Sequence, residues 1–273
     1  MEDSPTSFWR QMHAAGMINS KSFSLCFMHS RSVAKEGTQA GSLTLGGADK
    51  TIHLSPMIFA EQYDINGWFS VHVQNMFLKH PKKEEDEVFE NGKNKTQSLL
   101  SMDGHRVEKL EMNIKQLNLG GIIVDSGTTE SYFPSVSKLP FEKAFENLMG
   151  FDFNAKLTKD DDHGVEDYPS LLIQLKGAIN VSDDDLMDDN GKPRSGLADS
   201  LDLDNPNDVL LEIPPDQYML WSARLKAYTN RFHMNDASHF GVLGANSMYR
   251  HDILFDPDKK RIGIAKSDCV LPN

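Results

Sequence analysis

The sequence predicts an all-β protein with a few short helices. Apolar and polar residues alternate in several short segments, including residues 23–27, 43–45 and 69–73, which is typical of strands buried on one face. Glycine, asparagine and aspartate lie between these segments and indicate turns. Because the predicted strands follow one another without intervening helices, a sandwich or barrel is favoured over a parallel α/β sheet.

Two segments break the strand pattern and indicate helices. Residues 4–16 offer Ser4 or Thr6 as an N-cap and end at Gly16. Residues 139–150 have apolar side chains at helical spacing and end at Gly150. The sequence therefore predicts a short helix at the start and a longer one near the middle.

Further strands are predicted in the second half of the chain, at residues 122–124, 209–213, 253–255 and 262–265. Asp103–Gly104 predicts the turn of a hairpin that leads to the first of them. The polar residues 256–260 predict the turn between the last two.

Composition narrows the possible functions. The chain has 273 residues, enough for one large or two small domains, and a formal net charge of −12 at pH 7. Nucleic acids and anionic membranes are bound by clustered Lys and Arg, so neither is expected as a partner. No apolar run approaches the ~20 residues of a membrane-spanning helix. The first residues lack the basic and apolar regions of a secretory signal, so any export signal is expected to lie elsewhere.

Two charged insertions are expected to be solvated, disordered loops. Residues 79–97 are mixed in sign and nearly free of apolar side chains, and residues 181–208 contain nine aspartates. Asn94 and Asn180 begin glycosylation sequons in or beside these loops, which matters only if the protein is secreted. Cys26 and Cys269 lie near opposite ends of the sequence, and from their count alone they are either two buried thiols or one disulfide.

The most informative segment reads IIVDSGTT, residues 122–129. A short apolar strand delivers Asp125 into a turn that contains Ser126, Gly127, Thr128 and Thr129. Glycine allows a tight turn and a close approach to a ligand, and the hydroxyl groups can hold the carboxylate by hydrogen bonds. This arrangement is how a chain positions an acid for chemistry.

The segment resembles an active-site loop of the pepsin-like aspartic proteases. Val242, Leu243 and Gly244 are similar to the apolar-apolar-Gly strand that passes beneath such a loop, and residues 255–269 resemble the family's C-terminal strand–turn–strand. The resemblance implies a pepsin-like fold, an incomplete bilobal β-barrel. In that fold residues 1–60 would form the end of the first lobe and the interdomain strands, and residues 61–273 the second lobe.

The resemblance also implies a role for each residue of the loop. Asp125 would be one catalytic carboxylate, and Ser126 would bond across to the opposite loop. Gly127 would meet the substrate backbone, while Thr128 and Thr129 would bond the carboxylate or the substrate. An aspartic endopeptidase acting on a peptide or protein substrate is therefore expected, without a cofactor, a metal or a nucleic acid.

The same resemblance bears on the two cysteines. The strand that carries Cys26 and the strand before Cys269 would both lie near the sheet joining the lobes, which favours a disulfide. A disulfide indicates an oxidising environment. We expect the full-length protein in a secretory, vacuolar or lysosome-like compartment.

The chain departs from the family in one main respect, because it contains a single loop of this kind. The first Asp-Thr-Gly loop and the flap with its tyrosine are absent, and Asp256, Asp258 and Asp268 lack a following Gly-Thr or Gly-Ser. Glu130 and Ala245 are smaller departures. We expect the chain alone to be inactive without the missing N-terminal lobe.

Two alternatives remain open: a stand-alone half that pairs with another chain, and a non-catalytic peptide- or protein-binding member on the same scaffold. In the isolated chain, Phe23, Leu25 and Phe27 are expected to form a raw apolar surface. The ten histidines have no metal-ligand spacing. Phosphate-loop and serine-hydrolase motifs are missing as well.

Overall fold

The computed structural model describes residues 6–29, 40–65, 67–80, 100–102, 104–153, 158, 164–179, 181–182, 186–187, 194–236 and 240–270. It is mostly β-sheet with a few short helices, as the sequence predicts. No helix in these ranges is long and apolar enough to cross a membrane. The two sequon asparagines, Asn94 and Asn180, lie outside the described residues, as does most of the insertion 79–97.

The strands in chain order are β1 (Phe23–Phe27), β2 (Gly41–Leu45), β3 (Ile58–Glu61), β4 (Tyr63–Ile65), β5 (Trp68–Val71), β6 (Val73–Lys79), β7 (Leu100–Met102), β8 (His105–Lys109), β9 (Ile122–Val124), β10 (Ser131–Pro134), β11 (Ser170–Leu175), β12 (Val209–Ile213), β13 (Met219–Ser222), β14 (Ala227–Asn230), β15 (Phe232–Asp236), β16 (Gly241–Leu243), β17 (His251–Asp256) and β18 (Arg261–Lys266). The α-helices are α1 (Phe8–Ala14), α2 (Ile114–Leu117), α3 (Lys138–Met149), α4 (Pro215–Tyr218) and α5 (Ala245–Met248). Single turns of 3₁₀ helix lie at Lys50–Ile52, Ser135–Ser137, Val165–Asp167, Asp199–Leu201 and Pro257–Lys259.

Most local predictions are confirmed. The predicted hairpin is present, because β7 pairs with β8 and Met102 lies opposite His105. Asp103 itself lies outside the described residues. Helix α3 ends at Gly150, which has a left-handed backbone with φ of 76°. The cap of the first helix was predicted wrongly, because α1 begins after Ser7 and that residue makes no side-chain capping bond.

The first sheet is antiparallel, in the order β2-β1-β17-β18-β3. It pairs the first strand of the chain with β17, the last strand but one. On its inner face Phe23 stacks on Phe255 and also meets Trp9 and Phe69, with ring centroids 4.6–5.9 Å apart. Phe23 is therefore buried within this chain, and the expectation that it would be part of an apolar surface is wrong. Leu25 is only half-buried.

The second sheet has six strands in the order β15-β10-β16-β9-β5-β4. Strand β16 is parallel to β9 and antiparallel to β10, and β15 is parallel to β10. Its interior residues Ile122, Phe133 and Leu243 are almost completely buried in the main core. This sheet carries the candidate site at one edge.

The third sheet is antiparallel, in the order β12-β11-β6-β8-β7, and it is buried on both faces. One face joins the main core. On the other face Leu172 packs with Ala198 and Leu201, which belong to the stretch predicted as a disordered acidic loop. That prediction is wrong for residues 194–208, because their apolar side chains cover the sheet.

A buried amide holds this acidic stretch in place. The Gln174 side chain on β11 donates from Nε2 to Asp202 Oδ2 and to Asp208 Oδ2, both at 2.8 Å. The backbone N–H of Gly177 donates to Asp208 Oδ1 at 2.8 Å. Burial raises the pKa of Asp208, and the nearby Asp202 carboxylate raises it further, against the lowering effect of the two hydrogen bonds.

The disulfide is confirmed. Cys26 on β1 is bonded to Cys269 beyond the end of β18, with the two Cα atoms 5.3 Å apart. Both residues are fully buried. Because they are 243 residues apart in sequence, the bond closes most of the chain into a loop.

We predict that replacing both cysteines by alanine lowers the free energy of unfolding by about 5 kcal/mol, because the bond removes loop-closure entropy from the unfolded chain. Urea unfolding of the oxidised protein and of the double variant measures the difference. Two free thiols in the denatured, unreduced protein would contradict the bond itself.

We predict that Asp208 makes stability depend on pH. Its pKa is raised in the folded state, so the folded protein binds a proton that the unfolded chain has already lost. The resulting destabilisation is complete above the folded-state pKa and absent below the ordinary aspartate pKa of about 4. The stability of the unmodified protein should therefore fall relative to Asp208→Asn as the pH rises from about 4 toward neutral.

Urea unfolding across this pH range tests the prediction, with Asp204→Asn as the control because Asp204 is an exposed aspartate of the same segment. The same pH dependence relative to both variants would refute it.

Candidate active site

Asp125 lies at the edge of the six-stranded sheet, directly after β9. Its backbone N–H donates to the Leu243 carbonyl of β16 at 3.0 Å, which continues the parallel pairing of Val124 with Leu243. Since parallel strands end at the same edge of a sheet, Asp125 and Gly244 leave the two strands side by side. The sequence-predicted strand and the apolar-apolar-Gly element are thus direct neighbours.

Both carboxylate oxygens of Asp125 are held by the turn that follows. Oδ1 accepts the backbone N–H of Gly127 at 2.9 Å, and Oδ2 accepts the Thr128 hydroxyl at 2.6 Å. The Thr128 backbone N–H also donates to the Asp125 carbonyl at 3.3 Å, which closes the turn. The side chain remains partly accessible. These contacts fix a carboxylate in one orientation at the surface of the sheet edge.

The other four loop residues differ in their exposure to solvent. Ser126, Gly127 and Thr129 are exposed, whereas Thr128 is half-buried. Of the two threonines, Thr128 bonds the carboxylate, and Thr129 contributes its backbone carbonyl to the neighbouring helix. The exposed residues are therefore available to contact a second loop or a ligand.

Gly244 allows the loop to pack against β16 and α5. A Cβ atom at this position would lie 2.3 Å from the Glu130 carbonyl oxygen and 2.7 Å from that of Thr128. The next two backbone N–H groups donate to the loop, Ala245 to the Thr128 carbonyl at 2.7 Å and Asn246 to the Thr129 carbonyl at 3.2 Å. Only glycine permits this close approach, and the approach lets β16 and α5 support the Asp125 loop.

A buried polar pair completes this support. The Ser131 hydroxyl accepts the Gly244 backbone N–H at 3.1 Å and is 2.6 Å from Asn246 Oδ1, to which it donates. Both side chains are almost completely buried. Ser131 and Asn246 were not predicted from the sequence. Their only signal in the sequence is their position, just after the Asp125 loop and just after Gly244.

A charged cluster lies next to the loop. The two carboxylate oxygens of Glu130 bind Arg231 Nη1 and His233 Nε2, and the His233 ring stacks on Tyr132 with centroids 4.6 Å apart. Burial raises the pKa of Glu130, but the hydrogen bonds from His233 and Arg231 more than offset it and hold the pKa below its ordinary value. Sequence reasoning noted Glu130 as a departure from the family and missed both of its partners.

Among the described residues, no second carboxylate is hydrogen-bonded to Asp125. Its side chain accepts hydrogen bonds from Gly127 and Thr128. Asp256 instead caps the 3₁₀ turn after β17 and pairs with Arg261. Asp258 belongs to the same turn. These ranges also contain no group of three histidine, cysteine, aspartate or glutamate side chains that could hold a metal ion.

No protein-family model matches the chain, and no curated protein matches it.

We predict that Gly244→Ala destabilises the protein by about 3 kcal/mol or more, because the added Cβ meets backbone atoms that cannot rotate away. Thermal or urea unfolding measures the loss. Gly16→Ala is the control, since its Cβ would meet no atom within 4 Å and only the left-handed backbone would resist it. Equal, small losses in the two variants would show that the loop does not depend on this contact.

Proposed function

We propose that this chain supplies one of the two catalytic carboxylates of a pepsin-like aspartic endopeptidase. The observation that supports the proposal is Asp125, which leaves a buried strand with one oxygen on the Gly127 N–H and the other on the Thr128 hydroxyl. Gly244 and α5 hold the loop from the adjacent parallel strand.

The chemistry requires a second carboxylate. Two such groups a few ångströms apart share one proton, because like charges at that distance cannot both ionise. The ionised group takes a proton from a water held between them, and the other donates its proton to the carbonyl oxygen of the scissile peptide. Asp125 can fill either role, and the resulting pKa values belong to the pair.

We infer that the second carboxylate comes from a first lobe that packs on the side of β2. This strand is an edge of the first sheet, and Leu43 on it is 56% exposed beside the half-buried Leu25. An unpaired strand edge is a surface that another strand or lobe can cover. The exposed Ser126 would bond to the opposite loop.

The disulfide supports an oxidising compartment as the location of this activity. A buried cross-link between Cys26 and Cys269 is typical of proteins that fold in an oxidising environment. A secretory, vacuolar or lysosome-like location of the complete protein agrees with that bond, and acid conditions suit a carboxylate pair.

A non-catalytic binding protein is the second candidate. It is favoured by one observation, that the described residues provide only one carboxylate at the site. The exposed loop could then hold a peptide without cleaving it. The two candidates differ in whether Asp125 is needed for turnover or only for binding.

We predict that Asp125→Asn in the protein joined to its first lobe lowers acid-pH cleavage of a denatured protein substrate by at least about 10²-fold, since one acid–base partner is lost. Thr128→Val should also lower the rate, because Oδ2 of Asp125 loses its hydrogen bond. Thr129→Val is the matched control, as its hydroxyl does not bind the carboxylate. Cleavage that persists unchanged in Asp125→Asn would rule out the endopeptidase, and unchanged peptide binding without any cleavage would favour the binding protein.

A further inference from the structure

The charged cluster of Glu130, Arg231 and His233 lies at the same edge of the sheet as Asp125. Strands β10 and β15 are parallel, with Ser131 opposite Phe232, so Glu130 and Arg231 precede them side by side. Strand β10 runs antiparallel to β16, which is parallel to β9. The starts of β10 and β15 therefore lie where β9 ends, and a peptide held by the Asp125 loop would pass close to the cluster.

The Arg231 guanidinium has N–H donors that the described residues do not use. Its Nη1 binds Glu130, and no other side chain among the described residues binds the Arg231 side chain. A guanidinium carries more N–H groups than this contact uses, in a planar fork that matches a carboxylate. The side chain is 32% exposed, so a ligand can reach it. Nε is buried, so the unused N–H groups of the two Nη atoms are the ones suited to a second carboxylate.

Glu130 is less available to a ligand. Each of its oxygens already accepts a hydrogen bond, one from Arg231 and one from His233, and only 21% of its side chain is exposed. A basic peptide side chain would have to displace one of these partners. The cluster therefore offers a cation, not an anion, to a ligand.

The hydrogen bonds to Glu130 keep this side chain ionised. Burial raises its pKa, but the bonds from His233 and Arg231 more than offset that effect and hold the pKa below its ordinary value. Tyr132 on β10 stacks on the His233 ring, and Asn246 on α5 donates to the Arg231 backbone carbonyl.

We propose that Arg231, paired with Glu130 and His233, is a specificity-determining residue that favours substrates with an aspartate or glutamate close to the scissile bond. The inference rests on the proposed function, because it takes a peptide to lie across the Asp125 loop. It goes beyond that function by naming the chemistry of a preferred side chain and the residues that select it.

The test compares pairs of fluorescent peptides that differ only by glutamate or glutamine at one position, scanned along the peptide at about pH 5. At one position the protein should bind the glutamate peptide about tenfold more tightly, the effect of one good charge-assisted hydrogen bond. Arg231→Gln should bring the ratio close to one. Glu130→Gln should raise it, because the positive charge is then no longer offset.

Arg250→Gln is the matched control. Arg250 also pairs with one acid, Asp216, and is 47% exposed, but it follows α5 and its backbone N–H donates to Phe27 of the first sheet. Its substitution should leave the ratio unchanged. Thermal unfolding of each variant separates a loss of recognition from a loss of folding, and Glu130→Gln keeps the test decisive where Arg231→Gln is unstable.

The outcomes separate this inference from the proposed function. A glutamate preference that Arg231→Gln abolishes supports the inference, even if Asp125→Asn shows that the protein does not cleave peptides. Cleavage that needs Asp125 but shows the same preference in Arg231→Gln as in the unmodified protein overturns the inference alone. Failure of the unmodified protein to prefer either peptide, or to bind them, also overturns it.

Discussion

The parallel contact between β9 and β16 determines the position of every group at the candidate site. Burying Ile122 and Leu243 stabilises the contact by about 1.5–3 kcal/mol for each side chain, whereas a single hydrogen bond contributes about 1 kcal/mol net. Burial therefore fixes where the loop leaves the sheet. The hydrogen bonds to the Asp125 carboxylate then fix the orientation of that side chain. A loop with the same turn on a less buried strand would present the acid in several directions.

The features that sequence predicts well are those whose causes are local. Strand β9, helix α3 and the β7–β8 hairpin each follow from side-chain periodicity and from a glycine at the end or turn, within about a dozen residues. The disulfide was expected only through a resemblance to a family, because nothing local to Cys26 indicates a partner 243 residues away. Local causes can be seen in a sequence, and long-range pairing cannot.

The missed features show the same limit in two ways. Glu130 meets Arg231 and His233 over separations of 101 and 103 residues, because β15 happens to lie beside β10. The stretch 194–208 looked disordered because its aspartates dominate the composition, yet Leu201 and Ala198 are enough to cover the outer face of the third sheet. Average charge conceals an apolar stripe when the stripe is only a few residues long.

The position of Glu130 poses an electrostatic problem that its partners solve. A negative charge next to a carboxylate makes ionisation of that carboxylate more difficult, and two aspartates that share a proton are sensitive to any further charge. Arg231 neutralises Glu130 at the point where it follows the loop, and His233 adds a second hydrogen bond to the carboxylate. Arg231 uses only part of its guanidinium for this pairing. The same pairing that offsets the charge of Glu130 thus leaves a cation at the sheet edge where the proposed peptide would lie.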